Sequence, residues 1–525
     1  MPEPRDDATF EATLSQLEAN PPKALGVWLA PDPAQPLHVQ SDPRLGSVAA
    51  LGLATAERTA VTRGTPGTLA ALQNTLSRLT QTYVVFHGAQ DALLRLAAAT
   101  GSSAAARTGR FGCTQTAAQL LAEGTRRGRD LPTLTECTEK MLGKPWQAPD
   151  RLSADVIPAT TQAAESLLPL MGALTPLLRK RELTRVFGLE CDVLPSVIAM
   201  ERAGVAVDAA AFERIAAQWH TERRDTDVPE RVARLDKLIS TYAYWGQEHV
   251  RGGRIRCRLH PLATDSGRFS CTDPNLQQVP SAHTAPGLRA CFRPDPSKVL
   301  VVADYAQIEL RVAAHLAPCD ALRQVFHEGR DPHRATAATI TGRPEDSITD
   351  HERKLAKAVN FGFLFGMGAS RFRSYAADGY GVDLTDREAA DARAAFMRTF
   401  PGIAAWHKRV GALSRRPGPV TVRTALGRRK RFAPGKVSFN SALNIPVQGT
   451  AAEGFKRAMV ELQPALEALG GRGVMVVHDE YIAEVPREVA AQARDTVEAT
   501  MTSAMASVVT SVPIAVEAEA CEAWG

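Results

Sequence analysis

Cationic and aromatic side chains follow one another at a regular spacing in the second half of the chain. Arg353, Lys357, Phe361 and Phe365 recur at every fourth position. Because a step of four residues advances only about 40° around an α-helix, we expect all four side chains on one face. Two cations followed by two rings suit a triphosphate whose sugar and base lie along the rings. Taken alone, the stretch is equally compatible with an amphipathic surface helix that has a buried aromatic edge.

Acidic side chains lie on both sides of this stretch, each at the end of an apolar strand. Residues 299–303 lead into Asp304, and residues 474–477 lead into Asp479 and Glu480 at the turn of a predicted β-hairpin. Carboxylates at the ends of apolar strands are costly unless they bind cations or face water. The aspartates are therefore candidates for a cation site.

The three segments, in this order and spacing, resemble the three polymerase motifs of the DNA polymerase I family, known as family A. The resemblance is nearly continuous from about Glu190 to the end of the sequence. It implies an α+β right-hand polymerase domain at residues 181–525. Within it the thumb is expected at about 190–250, the palm at about 255–320 and 435–525, and the fingers at about 321–434.

The resemblance also implies a reaction, the template-directed addition of dNMP from a dNTP to a primer 3′ hydroxyl with release of pyrophosphate. In this chemistry two Mg²⁺ ions stabilise the attacking and leaving oxygens, with Mn²⁺ as a substitute. The implied metal ligands are Asp304, Asp479 and the backbone carbonyl of Tyr305. Glu480 is expected in a supporting role, and Lys357 as the proton donor to pyrophosphate.

Further positions correspond to substrate contacts of the family. The implied nucleotide-binding residues are Arg353, Lys357, Phe361, Phe365, Glu309, His333 and Gln307. The implied DNA-binding residues are Arg268, Asn444, Gln448, His478, Arg428 and Arg429. Glu309 is expected to close the space under the 2′ carbon and so to exclude ribonucleotides.

A strongly basic segment lies between Pro401 and Lys436. It holds ten Lys or Arg residues and no Asp or Glu. Such a run is often a solvated face, but its length and its similarity to the family's template-binding fingers favour contacts with DNA phosphates.

Three features depart from the family pattern. Phe365 stands where most members have tyrosine, so the hydroxyl that would hold Glu309 is missing. Asn440 stands where arginine is common, which removes one expected contact with a template phosphate. Only 34 positions separate Asp208 from Tyr242, and so short a thumb predicts a weaker grip on the DNA product.

Residues 1–180 are predicted to form an α/β domain that resembles the family's 3′–5′ exonuclease domain, which is ribonuclease H-like. An active nuclease of this kind needs four carboxylates to hold two metal ions. Only Asp91 is retained, so we expect a degenerate domain with a structural or DNA-handling role and without proofreading. Prolines at 158, 169 and 176 are expected to interrupt the connecting helices that follow.

Length and composition are those of a globular protein of about two to four domains. Of the 525 residues, 44% are hydrophobic and 23% charged, and the net charge of +5 permits a nucleic-acid partner without demonstrating one. Eight cysteines without a Cys-x-x-Cys pair fit a reducing cytoplasm, and no apolar run approaches a membrane span. We expect a bacterial, phage or plasmid enzyme, a monomer whose partners are primer–template DNA, dNTPs and unidentified replication or repair proteins.

Three alternatives remain at this point. An RNA-synthesising polymerase with related chemistry is opposed by Glu309. A catalytically silent DNA-binding protein is opposed by the joint retention of Asp304, Asp479, Arg353 and Lys357. A bifunctional polymerase and exonuclease depends on carboxylates that the N-terminal region lacks.

Overall fold

The computed structural model describes residues 7–32, 35, 42–44, 47–102, 110–126, 130–147 and 156–525. Its helices are α1 (Asp7–Ala19), α2 (Pro66–Arg78), α3 (Ala89–Thr100), α4 (Thr114–Leu121), α5 (Leu134–Leu142), α6 (Ile157–Lys180), α7 (Thr184–Asp192), α8 (Leu194–Ala203), α9 (Ala209–Arg224), α10 (Pro229–Tyr242), α11 (Trp245–Glu248), α12 (Ile308–Leu316), α13 (Asp320–His327), α14 (Pro332–Thr341), α15 (Asp350–Leu364), α16 (Ala369–Tyr380), α17 (Asp386–Thr399), α18 (Pro401–Ser414), α19 (Phe439–Ala468) and α20 (Ala490–Ala506).

Its strands are β1 (Ala24–Pro31), β2 (Val48–Ala54), β3 (Thr59–Arg63), β4 (Tyr83–Phe86), β5 (Arg110–Cys113), β6 (Val205–Ala206), β7 (Val250–Arg251), β8 (Arg254–Ile255), β9 (Arg258–His260), β10 (Ser270–Thr272), β11 (Lys298–Tyr305), β12 (Val420–Arg423), β13 (Arg429–Phe432), β14 (Arg472–Val477), β15 (Glu480–Pro486) and β16 (Val516–Cys521).

A mixed sheet organises the N-terminal part, in the order β3-β2-β1-β4-β5. Strand β2 is antiparallel to β1 and β3, whereas β4 is parallel to β1 and β5. Strands β1 and β2 are apolar and mostly buried, as expected where helices cover a sheet. The predicted α/β architecture of this region is confirmed.

Helix α6 lies against this sheet along a buried stripe that includes Ala163, Ala164 and Leu167. A Cβ at Gly52 would come within 2.9 Å of Ala164 Cβ, so glycine permits the close approach. The expected interruption of this region by prolines is wrong, since Pro169 lies, like Pro176, inside the continuous helix. Burial of the apolar stripe offsets the backbone hydrogen bonds that the prolines remove.

The palm is an antiparallel sheet in the order β14-β15-β11-β16, as predicted. Strand β11 is central and packs against α20, and its residues Leu300 and Val301 are buried. Its register places Asp304 opposite Glu480 of β15 on one side and Glu517 of β16 on the other. The pairing of the strands therefore gathers acidic residues at one end of the sheet.

Helices α14 to α18 pack together as the expected fingers, with α15 against α14, α16 and α17. A capping box at Thr349 begins α15, and the side chain of Asp331 caps α14. The expected thumb contains α9 and α10, of only 16 and 14 residues. The exact boundaries of thumb, palm and fingers, and the division near residue 180, stay predictions.

The two parts of the chain share an apolar core. Buried residues of the N-terminal layer, such as Val85 and Leu120, belong to the same cluster as Val301 and Trp524 of the palm region. Among the described helices, none combines the length and the apolar character that crossing a membrane requires.

Candidate active site

A cleft of about 470 Å³ opens between the palm sheet and helix α15. It is lined by Arg268, Asp304, Tyr305, Ala306, Gln307, Ile308, Glu309, His333, Arg353, Lys357, Phe361, His478, Asp479 and Glu517. Residues that are far apart in the sequence thus meet at one site, and most of them are those expected from the three motifs.

The acidic floor of the cleft is built by strand ends. Asp304 lies at the end of β11, and Asp479 lies in the β14–β15 turn beside His478, whose φ of 56° shows a tight, left-handed turn. Desolvation and the negative charges of Asp479 and Glu480 raise the pKa of Asp304 to about 6. The neighbouring carboxylates therefore destabilise the charged form of Asp304.

Such a group of acids fits a divalent cation, because a cation would relieve the repulsion that raises the pKa of Asp304. The backbone carbonyl of Tyr305 follows directly, and the Tyr305 ring is fixed by a 2.9 Å hydrogen bond from its hydroxyl to the Met501 carbonyl. Within the described ranges, no three His, Cys, Asp or Glu side chains already form a cage for a metal. The predicted donors, two aspartates and the carbonyl of Tyr305, line the same cleft.

Arg268 occupies the centre of the acidic floor. Its Nη2 donates to Glu309 at 3.0 Å and to Asp479 at 2.7 Å. All three side chains are about four-fifths buried. The residue expected to touch the primer terminus therefore bridges the expected sugar gate and an expected metal ligand.

Glu309 has partners despite the missing tyrosine hydroxyl. Desolvation raises the pKa of Glu309, whereas the charge of Arg268 and hydrogen bonds from Arg268 and Gln448 act to lower it. The absence of the tyrosine hydroxyl therefore does not leave the Glu309 carboxylate without polar contacts. Arg268 and Gln448 supply the contacts instead, because both reach the start of α12.

The opposite wall of the cleft is cationic and aromatic. Arg353, Lys357 and Phe361 lie on one face of α15 and line the cleft, as predicted from their spacing. Arg353 donates to Asp331 at 2.5 Å, whereas Lys357 is exposed and has no ion-pair partner in the described part of the chain. The ring of His333 packs beside Phe361, with centroids 5.9 Å apart.

Phe365 does not line the cleft. Helix α15 ends at Leu364, and Phe365 is its C-terminal cap. The following Gly366 has a φ of 77°, a conformation that stops helices and favours glycine. The carbonyl of Phe365 accepts a 2.6 Å hydrogen bond from Asn440, so the residue that replaces an expected arginine has a structural contact.

The side chain of Glu480 is held by Trp524, and Trp524 is in contact with Arg289. The indole nitrogen of Trp524 donates to its carboxylate at 3.2 Å, and the guanidinium of Arg289 lies 4.2 Å from the Trp524 ring centroid. Glu480 does not line the cleft, whereas Glu517 does. Sequence reasoning missed Glu517 and Asp331, although Asp331 stands directly before a proline, where a helix cap is typical.

Arg428 and Arg429, which are predicted to contact DNA, have ion-pair partners within the protein. Arg428 is buried and pairs with Glu190, and Arg429 pairs with Glu123 of the N-terminal part at 2.8 Å. Lys430 donates to the Gly124 carbonyl and to Asp265, both at 2.6 Å. In this arrangement the three cations are used in contacts between parts of the protein.

Other basic residues of this segment are exposed: Lys408, Arg409, Arg415, Arg416, Arg423, Arg431 and Lys436. Of the remaining predicted DNA contacts, Asn444 and Gln448 lie on α19 and are half-buried, and His478 is exposed at the cleft. The Oδ1 atom of Asn444 is buried without a hydrogen-bond partner in the described structure, so it is a free acceptor near the palm.

Comparisons with known proteins agree with this arrangement. A family model described as DNA polymerase family A matches residues 179–525. DNA polymerase I of Aquifex aeolicus (strain VF5) is 35% identical over 280 residues, which cover 53% of this chain and 47% of that protein. The thermostable DNA polymerase I of Thermus aquaticus is 38% identical over 307 residues, 55% of this chain and 35% of that protein. The chain thus matches less than half of either relative.

A solved structure, the POL domain of Pol1 from M. smegmatis in complex with DNA primer-template and dNTP, has the same fold. The TM-score is 0.82 at 22% sequence identity, and the match covers 99% of this chain and 98% of that one. The fold is therefore that of a polymerase domain. On the evidence of the family match, the chain belongs to DNA polymerase family A.

Proposed function

We propose that this protein is a DNA-directed DNA polymerase, which extends a primer 3′ end with dNMP and releases pyrophosphate. The observation that supports this most strongly is the cleft that places the paired aspartates Asp304 and Asp479 opposite the cations Arg353 and Lys357. Phosphoryl transfer needs negative ligands for metal ions and positive charge for the leaving phosphates. A silent binding protein has no need to keep both in one cleft.

The residues of the fingers, together with Glu309 of the palm, bind and orient the nucleotide. Arg353 exchanges its bond with Asp331 for the β and γ phosphates, and Lys357 neutralises and protonates the departing pyrophosphate. Phe361 stacks beside the sugar. Glu309 fills the space under the 2′ carbon, so a ribose hydroxyl meets a carboxylate and is rejected.

The residues of the palm bind the primer and the cations. Arg268 reaches the minor-groove edge of the terminal base pair, where hydrogen-bond acceptors are common to all pairs, and His478 positions the primer end. Asp304, Asp479 and the carbonyl of Tyr305 would hold two divalent ions, Mg²⁺ or Mn²⁺, which supply charge stabilisation to the transferred phosphoryl group.

Primer extension tests the proposal. A labelled primer–template is incubated with dNTPs and Mg²⁺, and unaltered protein is compared with Asp479→Asn. We expect the variant to lose at least about 100-fold in rate, because a metal ligand is removed. Glu498→Gln, at an exposed position on α20, serves as the control and retains activity. Absence of extension by the unaltered protein, or full activity of Asp479→Asn, contradicts the proposal.

We also propose that the N-terminal domain has no proofreading activity. The supporting observation is that Asp91, its one retained candidate carboxylate, is paired at 2.6 Å with Arg258 of β9. Arg258 also binds the fully buried Glu201 at 3.0 Å. An acid engaged in this way serves the contact between the two parts of the protein.

A reaction without dNTPs tests this second proposal. We expect the labelled primer to keep its length in the presence of Mg²⁺ or Mn²⁺, and Asp91→Ala to make no difference. Metal-dependent shortening that Asp91→Ala abolishes would show that the domain is an active nuclease.

For the cellular context we propose a cytoplasmic monomer in DNA replication or repair, in line with the bacterial origin of the similar polymerases.

A further inference from the structure

The side chain of Asn360 contacts His333 inside the fingers. Asn360 is completely buried on α15, one position before Phe361. Its amide nitrogen lies 3.2 Å from the carbonyl oxygen of Pro332 and 2.8 Å from Nδ1 of His333. Its oxygen Oδ1 lies 2.8 Å from the hydroxyl of Thr336. All polar atoms of this amide therefore have partners.

The Thr336 hydroxyl lies 2.8 Å from the Pro332 carbonyl as well as from Asn360, so the contact between Asn360 and Pro332 decides the orientation of the amide. The carbonyl oxygen of Pro332 only accepts hydrogen bonds, so the Asn360 atom beside it is the amide nitrogen. The second hydrogen of that nitrogen then points to Nδ1 of His333, which must accept it. A neutral imidazole that accepts at Nδ1 carries its proton on Nε2.

The imidazole is neutral at physiological pH. Burial lowers the pKa of His333 to about 4; the nearby charges of Arg353 and Lys357 act in the same direction, and that of Asp331 opposes them. The ring lines the cleft together with the two cations. The described residues give Nε2 no hydrogen-bond partner, so its N–H is free for a ligand.

We propose that Asn360 is a positioning residue that fixes the Nε2–H tautomer of His333, so that the imidazole donates a hydrogen bond to the triphosphate of the incoming nucleotide. This inference rests on the proposed polymerase function. Phosphate oxygens accept hydrogen bonds, so the Nε2–H form binds them. The other tautomer presents a lone pair to the same oxygens and repels them.

A measurement on the unaltered protein tests the tautomer directly. Two-dimensional ¹H–¹⁵N spectra of protein labelled with ¹⁵N-histidine distinguish a protonated ring nitrogen from a bare one, and His333→Gln identifies the signal by its disappearance. We expect a protonated Nε2 and a bare Nδ1 at pH 7. A protonated Nδ1 overturns the inference. The measurement needs no catalysis, so its outcome is separate from that of the primer-extension assay.

Kinetics test whether the tautomer acts on the nucleotide. Asn360→Leu removes the donor with little change in volume, and we expect the KM for dNTP to rise about tenfold with kcat within about twofold. In a His333→Gln background the glutamine amide supplies its own N–H. There, Asn360→Leu should change the KM by less than about twofold.

A merely structural role of Asn360 predicts something different. It requires Asn360→Leu to raise the KM equally in both backgrounds, and that result overturns the inference. Thr336→Val is the matched control, because it removes the hydroxyl on the oxygen side of Asn360 but leaves the contact with Nδ1. We expect this variant to keep the Nε2–H signal and a KM within about twofold of the unaltered protein.

Discussion

The guanidinium of Arg268 lies 2.7 Å from the carboxylate of Asp479. A predicted DNA contact and a predicted metal ligand thus neutralise each other in this structure. We predict that Asp479 becomes available to a cation when Arg268 turns to the primer terminus. One side chain would then couple the placement of the primer to the completion of the metal site.

Removal of the Arg268 charge tests this coupling. In protein without DNA, we expect Arg268→Met to raise the affinity for Mn²⁺ about tenfold, because Asp479 loses a competing cation. Free Mn²⁺ is measured by electron paramagnetic resonance. Primer extension by the same variant should fall at least about tenfold, since the contact with the terminal pair is lost. Arg457→Met removes an exposed arginine paired with Glu461 and is expected to change neither quantity. Unchanged Mn²⁺ affinity in Arg268→Met contradicts the coupling.

Glu309 is expected to determine the choice of sugar. We predict that Glu309→Ala reduces the preference for dNTPs over rNTPs by about 10- to 100-fold, because the space under the 2′ carbon opens. The ratio of kcat/KM for dATP and ATP on one template measures the effect. Glu461→Ala, on an exposed face of α19, is the control. A preference for dATP that survives Glu309→Ala shows that another group excludes the ribose.

Glu484 is predicted to make stability depend on pH. It is fully buried on β15 between Arg254 and Arg472. Burial acts to raise the pKa of its carboxyl, but a hydrogen bond from the Asp295 backbone and the two guanidinium groups outweigh this effect and lower the pKa from 4.5 to about 2. Because the folded-state pKa is the lower one, the stabilisation is complete above the unfolded-state pKa. It is lost as the pH falls toward the folded-state pKa.

We therefore expect Glu484→Gln to lower the free energy of unfolding by about 2–3 kcal/mol at pH 7 and by about half as much at pH 3. Urea unfolding at pH 7, 5 and 3 measures the difference. Glu488→Gln, at an exposed position, is the control. A loss of stability that is the same at every pH would mean that Glu484 acts through packing and not through its charge.

Lys430 is predicted to hold the segment that precedes Arg268 against the N-terminal part of the chain. It joins the Gly124 carbonyl to Asp265, and Asp265 lies three residues before Arg268. We expect Lys430→Met to raise the KM for primer–template about fivefold with a smaller effect on kcat, because one ion pair is lost. Lys408→Met, at an exposed position in the same basic segment, is the control. Equal effects of the two substitutions would indicate direct phosphate contacts by both lysines.

Much of the palm and of the nucleotide-binding face was predictable, because local patterns carry the information. Apolar strands lead into both Asp304 and Asp479. Once β11 pairs with β15, the two acids lie at the same end of the sheet. The spacing of Arg353, Lys357 and Phe361 similarly requires a shared helical face. Phe365 does not join these three residues in the cleft, because the helix ends just before it. The left-handed conformation of Gly366, which accompanies this end, is visible in the structure but not in the sequence.

The partners of charged residues were not predictable in the same way. The run of basic residues at 401–436 contains no acid, yet Arg428 and Arg429 pair with Glu190 and Glu123, which lie more than 200 positions away. No sequence pattern links such distant residues. Local charge balance therefore favoured a DNA-binding role for cations that the fold uses internally.

The ion pairs between the two parts have a consequence for any attempt to prepare the polymerase alone. Glu123 is almost completely buried, accepts a hydrogen bond from Arg181 and forms an ion pair with Arg429. Cutting the chain near residue 180 would leave Arg429 and Lys430 without their N-terminal partners and would expose apolar surface that Val85 and Leu120 now cover. The N-terminal part is thus the fixed support without which a shortened chain is expected to aggregate.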